Sequence, residues 1–266
     1  MKGLFVIKFG GSSITKKEQN KFEMNYEILS QAAQELSKAV KENRLKAVLI
    51  CGVGPFGHTN VKEYAINDGV TTERHLEGVK KTNEACDFVA AEVIAELKTH
   101  GINAKHIPGY DVCVQKNKKV ESFDVSAYED ALKEGYVPVT TGVMVKDTEL
   151  NWSVMSGDQA IAQLAKRLEP EMVLMGTDVD GIYTADPKED KKAKLIEEIT
   201  KKNLAKVLEK AGHSKAVDVT GGMKGKLEKL AQQLNGVPAE IFNLFTPGNL
   251  EKALEGKEIR CTKVRL

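Results

Sequence analysis

Short apolar runs that end in glycine clusters and then give way to a helical period set the strongest limit on this chain's fold. The first run is Leu4–Ile7, followed by Lys8, Phe9, the pair Gly10-Gly11, Ser12 and Ser13. Apolar residues without alternation, several of them β-branched, match a strand buried on both faces. The second run, Ala47–Ile50, enters Cys51-Gly52-Val53-Gly54-Pro55-Phe56-Gly57-His58. The third, Met172–Met175, leaves through Gly176-Thr177-Asp178-Val179-Asp180-Gly181-Ile182-Tyr183. A fourth glycine cluster, Gly221-Gly222-Met223-Lys224-Gly225-Lys226, precedes an amphipathic stretch carrying Leu227, Leu230, Ala231 and Leu234. Helical stripes lie between the runs, over 25–43 (Ile28, Leu29, Ala32, Leu36, Val40) and 73–100 (Val79, Cys86, Val89, Val93, Leu97). Strand alternating with helix predicts an α/β chain with a mainly parallel central sheet. Ligands of such sheets bind beyond the carboxyl ends of the strands, where these glycine turns fall.

The remaining elements follow the same reading. A short strand is expected over 104–108, then a hairpin over 112–122 turning at 115–118, with Lys116, Lys118 and Lys119 at an exposed edge. A helix is expected over 128–134, closed by Gly135. One strand spans 137–145, interrupted at Gly142, and another 150–154. Helices follow over 158–167, 203–211 and 250–254, a strand over 239–244, and an edge strand over 260–265. No linker or repeat divides the chain, so residues 1–170 and 171–266 are expected as two lobes of one continuous sheet. The 266 residues are 41% hydrophobic and 29% charged, with a formal net charge of +1. That balance gives no bulk field for nucleic acid or anionic membrane, so any phosphate affinity must be local. No apolar run is long enough to span a bilayer, and no signal peptide is read. The four cysteines lack metal-ligand or paired spacing, which suits a reducing cytoplasm.

The turns carry the candidate chemistry. Glycines let a turn aim several backbone amides at one anion, and a following helix adds its positive end. Lys8 before the first turn and Lys16 or Lys17 after it would supply cations. The loop is neither a Walker A sequence nor a G-x-G-x-x-G fingerprint. His58 is either a ligand group at the strand tips or an ordinary packed or surface histidine. Asp158, after Ser156-Gly157, is either a helix cap or a carboxylate that orients lysines. Asp178 and Asp180 mark either a nucleotide-edge loop or a turn-rich connection, without EF-hand spacing. His75, His100 and His106 have no metal-ligand spacing.

Taken in order, KFGGSSITKK, the FGH turn, SGD, GTDVDGIYTADP and DVTGGMKGK resemble the amino acid kinase superfamily over nearly the whole chain. Within it they are most similar to the archaeal isopentenyl phosphate kinases, with the fosfomycin kinases as a near relative through the FGH turn. The resemblance implies an αβα sandwich, a homodimer, and transfer of the ATP γ-phosphoryl group to a phosphate monoester. It implies that Lys8 bridges the phosphates, that Gly10, Gly11 and Ser12 surround the transferring group, and that Lys17 stabilises the transition state. Val53 and Gly54 then face both substrates, His58 holds the acceptor phosphate, Gly157 lies on the acceptor side, and Asp158 orders the lysines. Thr177, Asp178, Asp180, Gly181 and Tyr183 fall on the nucleoside side. Gly222, Met223 and Lys226 form a second phosphate loop. Mg²⁺ would travel with ATP. Three departures concern the acceptor: Cys51 where the family has histidine, Pro55 before the FGH phenylalanine, and Val143 where an aspartate commonly follows Gly142. The leading expectation is an isopentenyl phosphate kinase. The alternatives are a kinase of another small phosphate, phosphonate or carboxylate, and a nucleotide- or oxyanion-binding protein without turnover.

Overall fold

The structure is a computed structural model that describes residues 3–16, 22–42, 45–211, 234 and 236–266. Lys17, Gly222, Met223, Lys226 and the helix expected from Leu227 lie outside the described residues. In chain order the first elements are β1 (Leu4–Phe9), α1 (Gly11–Ile14), β2 (Thr15–Lys16), β3 (Glu23–Met24), α2 (Tyr26–Glu42), β4 (Lys46–Cys51), α3 (Pro55–Glu63) and α4 (Glu73–Thr99). Next come β5 (Ala104–His106), α5 (Gly109–Val112), β6 (Cys113–Lys116), β7 (Lys119–Phe123), α6 (Ser126–Lys133), β8 (Val137–Thr141), β9 (Val143–Asp147), β10 (Asn151–Met155) and α7 (Gly157–Leu168). The last are β11 (Met172–Thr177), β12 (Glu198–Thr200), α8 (Leu204–Ala211), β13 (Ala239–Asn243), α9 (Asn249–Leu254) and β14 (Cys261–Arg265).

Eight strands form the central sheet in the order β12-β14-β13-β11-β1-β4-β8-β5. Every neighbouring pair is parallel except β13 with β14. The first run is apolar because β1 pairs on both sides, with β4 and with β11, and Leu4, Val6, Ile7 and Phe9 are fully buried. Strands from 4–141 fill one half of the sheet and strands from 172–265 the other, with β1 and β11 meeting at the seam. Right-handed crossovers from β1 to β4 and from β4 to β5 place α2 and α4 on one face, where they pack together. The moves from β5 to β8 and from β8 towards β11 run the other way, which puts α6 and α7 on the opposite face. Because the chain leaves β1 and β11 in opposite directions, their carboxyl ends flank a topological switch point.

A second sheet, β10-β9-β6-β7, lies over the β8 side. The expected hairpin is β6–β7, whose two-residue tip, Asn117 and Lys118, takes left-handed φ angles of 48° and 64°. Three expectations are corrected. The single strand over 137–145 is two strands in different sheets, since the chain changes sheets at Gly142. The final strand is not an edge, because β12 covers it. β12 is three residues long with only Ile199 buried, too little apolar surface to stand out in a charged stretch. The helix after the first glycine turn is a single turn, Gly11–Ile14, so it contributes amides and little dipole. No helix among the described residues is long and apolar enough to cross a membrane.

Candidate active site

The glycine turns after β1, β4, β8 and β11 meet. Gly10 N–H donates to Gly176 O at 2.9 Å, and Gly52 N–H donates to Phe9 O at 2.8 Å. Gly11 and Gly52 are packed backbone to backbone: a Cβ on Gly11 would lie 2.6 Å from Gly54 N, and one on Gly52 would overlap Gly11 N. Only glycine permits that approach. Gly54 also has φ +51°, and a side chain there would run into Thr15 Oγ1. Thr15 in turn donates to Gly11 O at 2.5 Å, which ties the end of α1 to its start. On the far side, a Cβ on Gly142 would come within 3.0 Å of Gly157 N, so the end of β8 lies directly beneath the start of α7.

Helices α1, α3 and α7 all begin at this junction. The first amides of a helix have no acceptor within it, so such starts favour an anion. Pro55 occupies the first turn of α3, where its missing N–H costs nothing. Its stiffening of the loop is therefore compatible with the turn. His58 lies in that same first turn and is exposed, with its N–H 3.4 Å from Gly54 O. Val53 brings its backbone to the junction, while its side chain is buried and packs against Gly57.

Lys8 is the charged residue at the centre. Near the end of β1 it projects to the α7 face, and its Nζ meets Asp158 Oδ1 at 2.5 Å. Both side chains are largely covered, at 19% and 28% exposure, so water screens the pair less than at an open surface. Gly157 lies alongside, 3.9 Å from Lys8 Cε when measured from a Cβ built on it. Asp158 thus does more than begin a helix. The cap itself is Ser156, whose Oγ accepts from Gln159 N–H at 3.2 Å. The two readings of Asp158 are separated by this geometry: the helix has its own cap, and the carboxylate holds the lysine.

The β11 exit forms the other wall. Ser12 Oγ donates to Asp178 Oδ1 at 2.9 Å, linking the first glycine turn to the third across 166 residues of sequence. Thr177 Oγ1 lies 3.2 Å from the same oxygen, and Lys188 Nζ bonds Asp178 Oδ2 at 2.6 Å. Burial opposes the charge on Asp178, but the bonds from Lys188 and Ser12 outweigh it and hold the carboxyl below its usual range. Asp180 accepts from Tyr183 OH at 2.9 Å and Asn243 Nδ2 at 3.2 Å, and forms an ion pair with Arg260 Nε at 3.0 Å. Gly181 has a different neighbour from its companions: it lies against Thr262 of β14, where a Cβ would come within 2.8 Å of Thr262 N. Its place is to let this loop rest on the sheet.

The junction therefore gathers Lys8, Gly10, Gly11, Ser12, Val53, Gly54, Gly157, Asp158, Thr177 and Asp178, with His58 one turn along α3 and Asp180, Gly181 and Tyr183 further along the β11 loop. Lys188, Arg260, Asn243 and Thr15 were not singled out in the sequence. Lys188 and Arg260 sit in charge-rich stretches where nothing local sets them apart. Val143 is buried at 2% exposure and packs against Gly109 and Met155, so that departure falls in the core and not at the cleft. Ile66 and Val79 belong to a small satellite core with Tyr64, Val70 and Met144. Asn83 instead clasps the Met144 backbone through both its amide atoms, at 3.0 and 2.8 Å.

Residues 3–243 match the amino acid kinase family. The chain is 35% identical to the isopentenyl phosphate kinase of Methanothermobacter thermautotrophicus, covering 98% of each protein. It is 31% identical to the isopentenyl phosphate kinase of Methanocaldococcus jannaschii, again over 98% of each. A crystal structure of an isopentenyl phosphate kinase superimposes with a TM-score of 0.81 at 30% identity, covering 98% of this chain and 99% of that one. With this fold, this junction and these relatives, the chain belongs to the amino acid kinase family.

Proposed function

We propose that this kinase transfers the γ-phosphoryl group of ATP to isopentenyl phosphate, giving isopentenyl diphosphate and ADP for isoprenoid synthesis. The observation that carries the reading is the Lys8–Asp158 pair, set where the glycine turns after β1 and β4 touch and beside the start of α7. Transfer between two phosphates brings anions together, and the protein's task is alignment and charge neutralisation. Lys8 and the amides of the β1 turn supply this for the transferring group. The acceptor phosphate is mostly dianionic at neutral pH, its second pKa being about 6, so it needs no strong base. His58 holds that phosphate as a hydrogen-bond donor, and Gly157 lines its side of the cleft. The nucleoside end lies along Thr177–Tyr183, with Lys226, Gly222 and Met223 as a second phosphate grip.

Mg²⁺ is the expected companion of ATP. The carboxylates nearest the cleft, Asp158 and Asp178, are already bound to Lys8 and Lys188. That donor set fits a Mg²⁺ held by phosphate oxygens and water, the usual arrangement at kinase sites, where it would neutralise charge on the triphosphate. We further propose a cytoplasmic homodimer, with residues 1–170 forming the acceptor lobe and 171–266 the nucleotide lobe.

The test is ATP consumption by the purified protein with a panel of isopentenyl phosphate, other small phosphate monoesters, fosfomycin and small carboxylates. Diphosphate formed from isopentenyl phosphate with the highest kcat/KM is the expected result. A better acceptor elsewhere in the panel would replace the substrate. Tight nucleotide binding with no turnover of any acceptor would replace the activity.

A further inference from the structure

Gln159 is held at both ends. Its Oε1 accepts from Ser156 N–H at 3.0 Å while its own N–H donates to Ser156 Oγ, a reciprocal box at the start of α7. Its Nε2 goes elsewhere, donating to Lys118 O at 2.9 Å on the tip of the β6–β7 hairpin. That tip is itself fixed. Asn117 and Lys118 present their N–H groups to the buried Asp147 carboxylate at 2.9 and 2.8 Å. Lys118 Nζ reaches Asp68 at 2.7 Å, in the single helical turn Ile66–Asp68 that follows the helix bearing His58. The tip therefore braces the start of α7 and the turn that follows α3, and Gln159 is its link to the segment that carries Asp158.

We propose that Gln159 is a positioning residue for phosphoryl transfer: its bond to the hairpin fixes the first turn of α7, and so sets Asp158 and the Lys8 ammonium in the cleft. A residue that only capped the helix would need Ser156 and nothing more. Asp158 is its immediate neighbour, and the 2.5 Å contact with Lys8 leaves no slack for rotation of that turn. The proposal rests on the kinase reading above, because it assigns Lys8 to the reacting phosphates.

Two variants separate the links. Gln159→Ala removes both, whereas Gln159→Glu keeps an oxygen for Ser156 N–H and loses only the donor to Lys118. Each should lower kcat by ~10-fold or more, with both KM values changing by less than ~3-fold, since a small misplacement acts mainly on the reacting geometry. In an Asp158→Asn background the Gln159→Ala change should fall below ~2-fold, because residues acting through one another are not additive. Equal losses in both backgrounds, or a kcat within ~2-fold of the parent, would overturn the proposal. Amide exchange without substrate gives a second readout: peptides over 114–124 should exchange faster in Gln159→Ala, and unchanged protection there would remove the link. The kinetics use whichever acceptor the parent protein phosphorylates. A wrong acceptor assignment would thus appear in the parent alone, and the exchange comparison needs no acceptor.

Discussion

At the scale of single residues, the cleft contains a partly buried ion pair whose partners are 150 positions apart in the chain, Lys8 and Asp158. Removing one partner leaves the other charge poorly solvated and misdirected. Lys8→Met should therefore cut kcat by ~10²-fold or more, as for loss of a group aimed at developing phosphate charge. Steady-state rates at saturating ATP and acceptor measure it. A loss confined to thermal stability would move Lys8 out of the chemistry. His58 makes a different prediction because it lies past the glycine turn, on the exposed side of α3. His58→Ala should raise the acceptor KM by ~10-fold or more while ATP binding by calorimetry stays within ~2-fold, since a charge-assisted bond to one substrate is lost. Equal weakening of both substrates would argue that α3 had shifted as a whole.

At the scale of elements, the second sheet is organised by a carboxylate. Asp147, 4% exposed, accepts from the N–H groups of Asn117, Lys118, Glu149 and Leu150 and from Ser153 Oγ, all between 2.7 and 3.0 Å. Burial pushes against its charge, but these bonds prevail and hold its pKa below the ordinary carboxylate value. A pKa lowered in the folded state stabilises the protein above the unfolded value of about 3.9 and is lost as pH falls below it. Asp147→Asn should cost about 2–3 kcal/mol at pH 7, and the gap between variant and parent should narrow between about pH 4 and pH 2. Urea unfolding across that range checks it, and a gap independent of pH would show that the carboxylate's charge is not the source. None of this was legible in the sequence, where Asp147 marks only a turn. The β6–β7 hairpin was legible, read as turning at 115–118, because a polar, lysine-rich reversal between two extended segments is a local signal; its tip is Asn117-Lys118. The same contrast runs through the site. Glycine turns at strand ends are local and were read as such. The partners of their side chains are set by the order of strands in the sheet: Asp178 on Ser12, Arg260 on Asp180 and Thr262 under Gly181 each cross between segments that share no local pattern. β12 escaped for the opposite reason, having one buried side chain and no periodicity.

At the scale of the molecule, the sheet has a seam. β1 and β11 lie side by side, yet every central strand before them in the order comes from residues after 170, and every one beyond β1 comes from residues before it. The seam follows from handedness, since the chain fills one flank with right-handed crossovers and must reverse to build the other. A phosphate chain lying across the carboxyl ends of β1 and β11 would then have its nucleoside over one half and its transferring group facing the other. The two substrates should leave separable footprints in amide exchange. A non-hydrolysable ATP analogue should protect the 176–183 loop together with 9–13, whereas acceptor alone should protect 53–58 and 156–159 and leave 176–183 unchanged. Both together should add protection at 9–13, the shared boundary where Gly11 touches Gly54. Acceptor protecting the 176–183 loop first would reverse the assignment of the two halves. Slowing throughout the sheet by either ligand alone would mean that the halves respond as one body, and that binding tightens the whole fold instead of filling one side of a divided cleft.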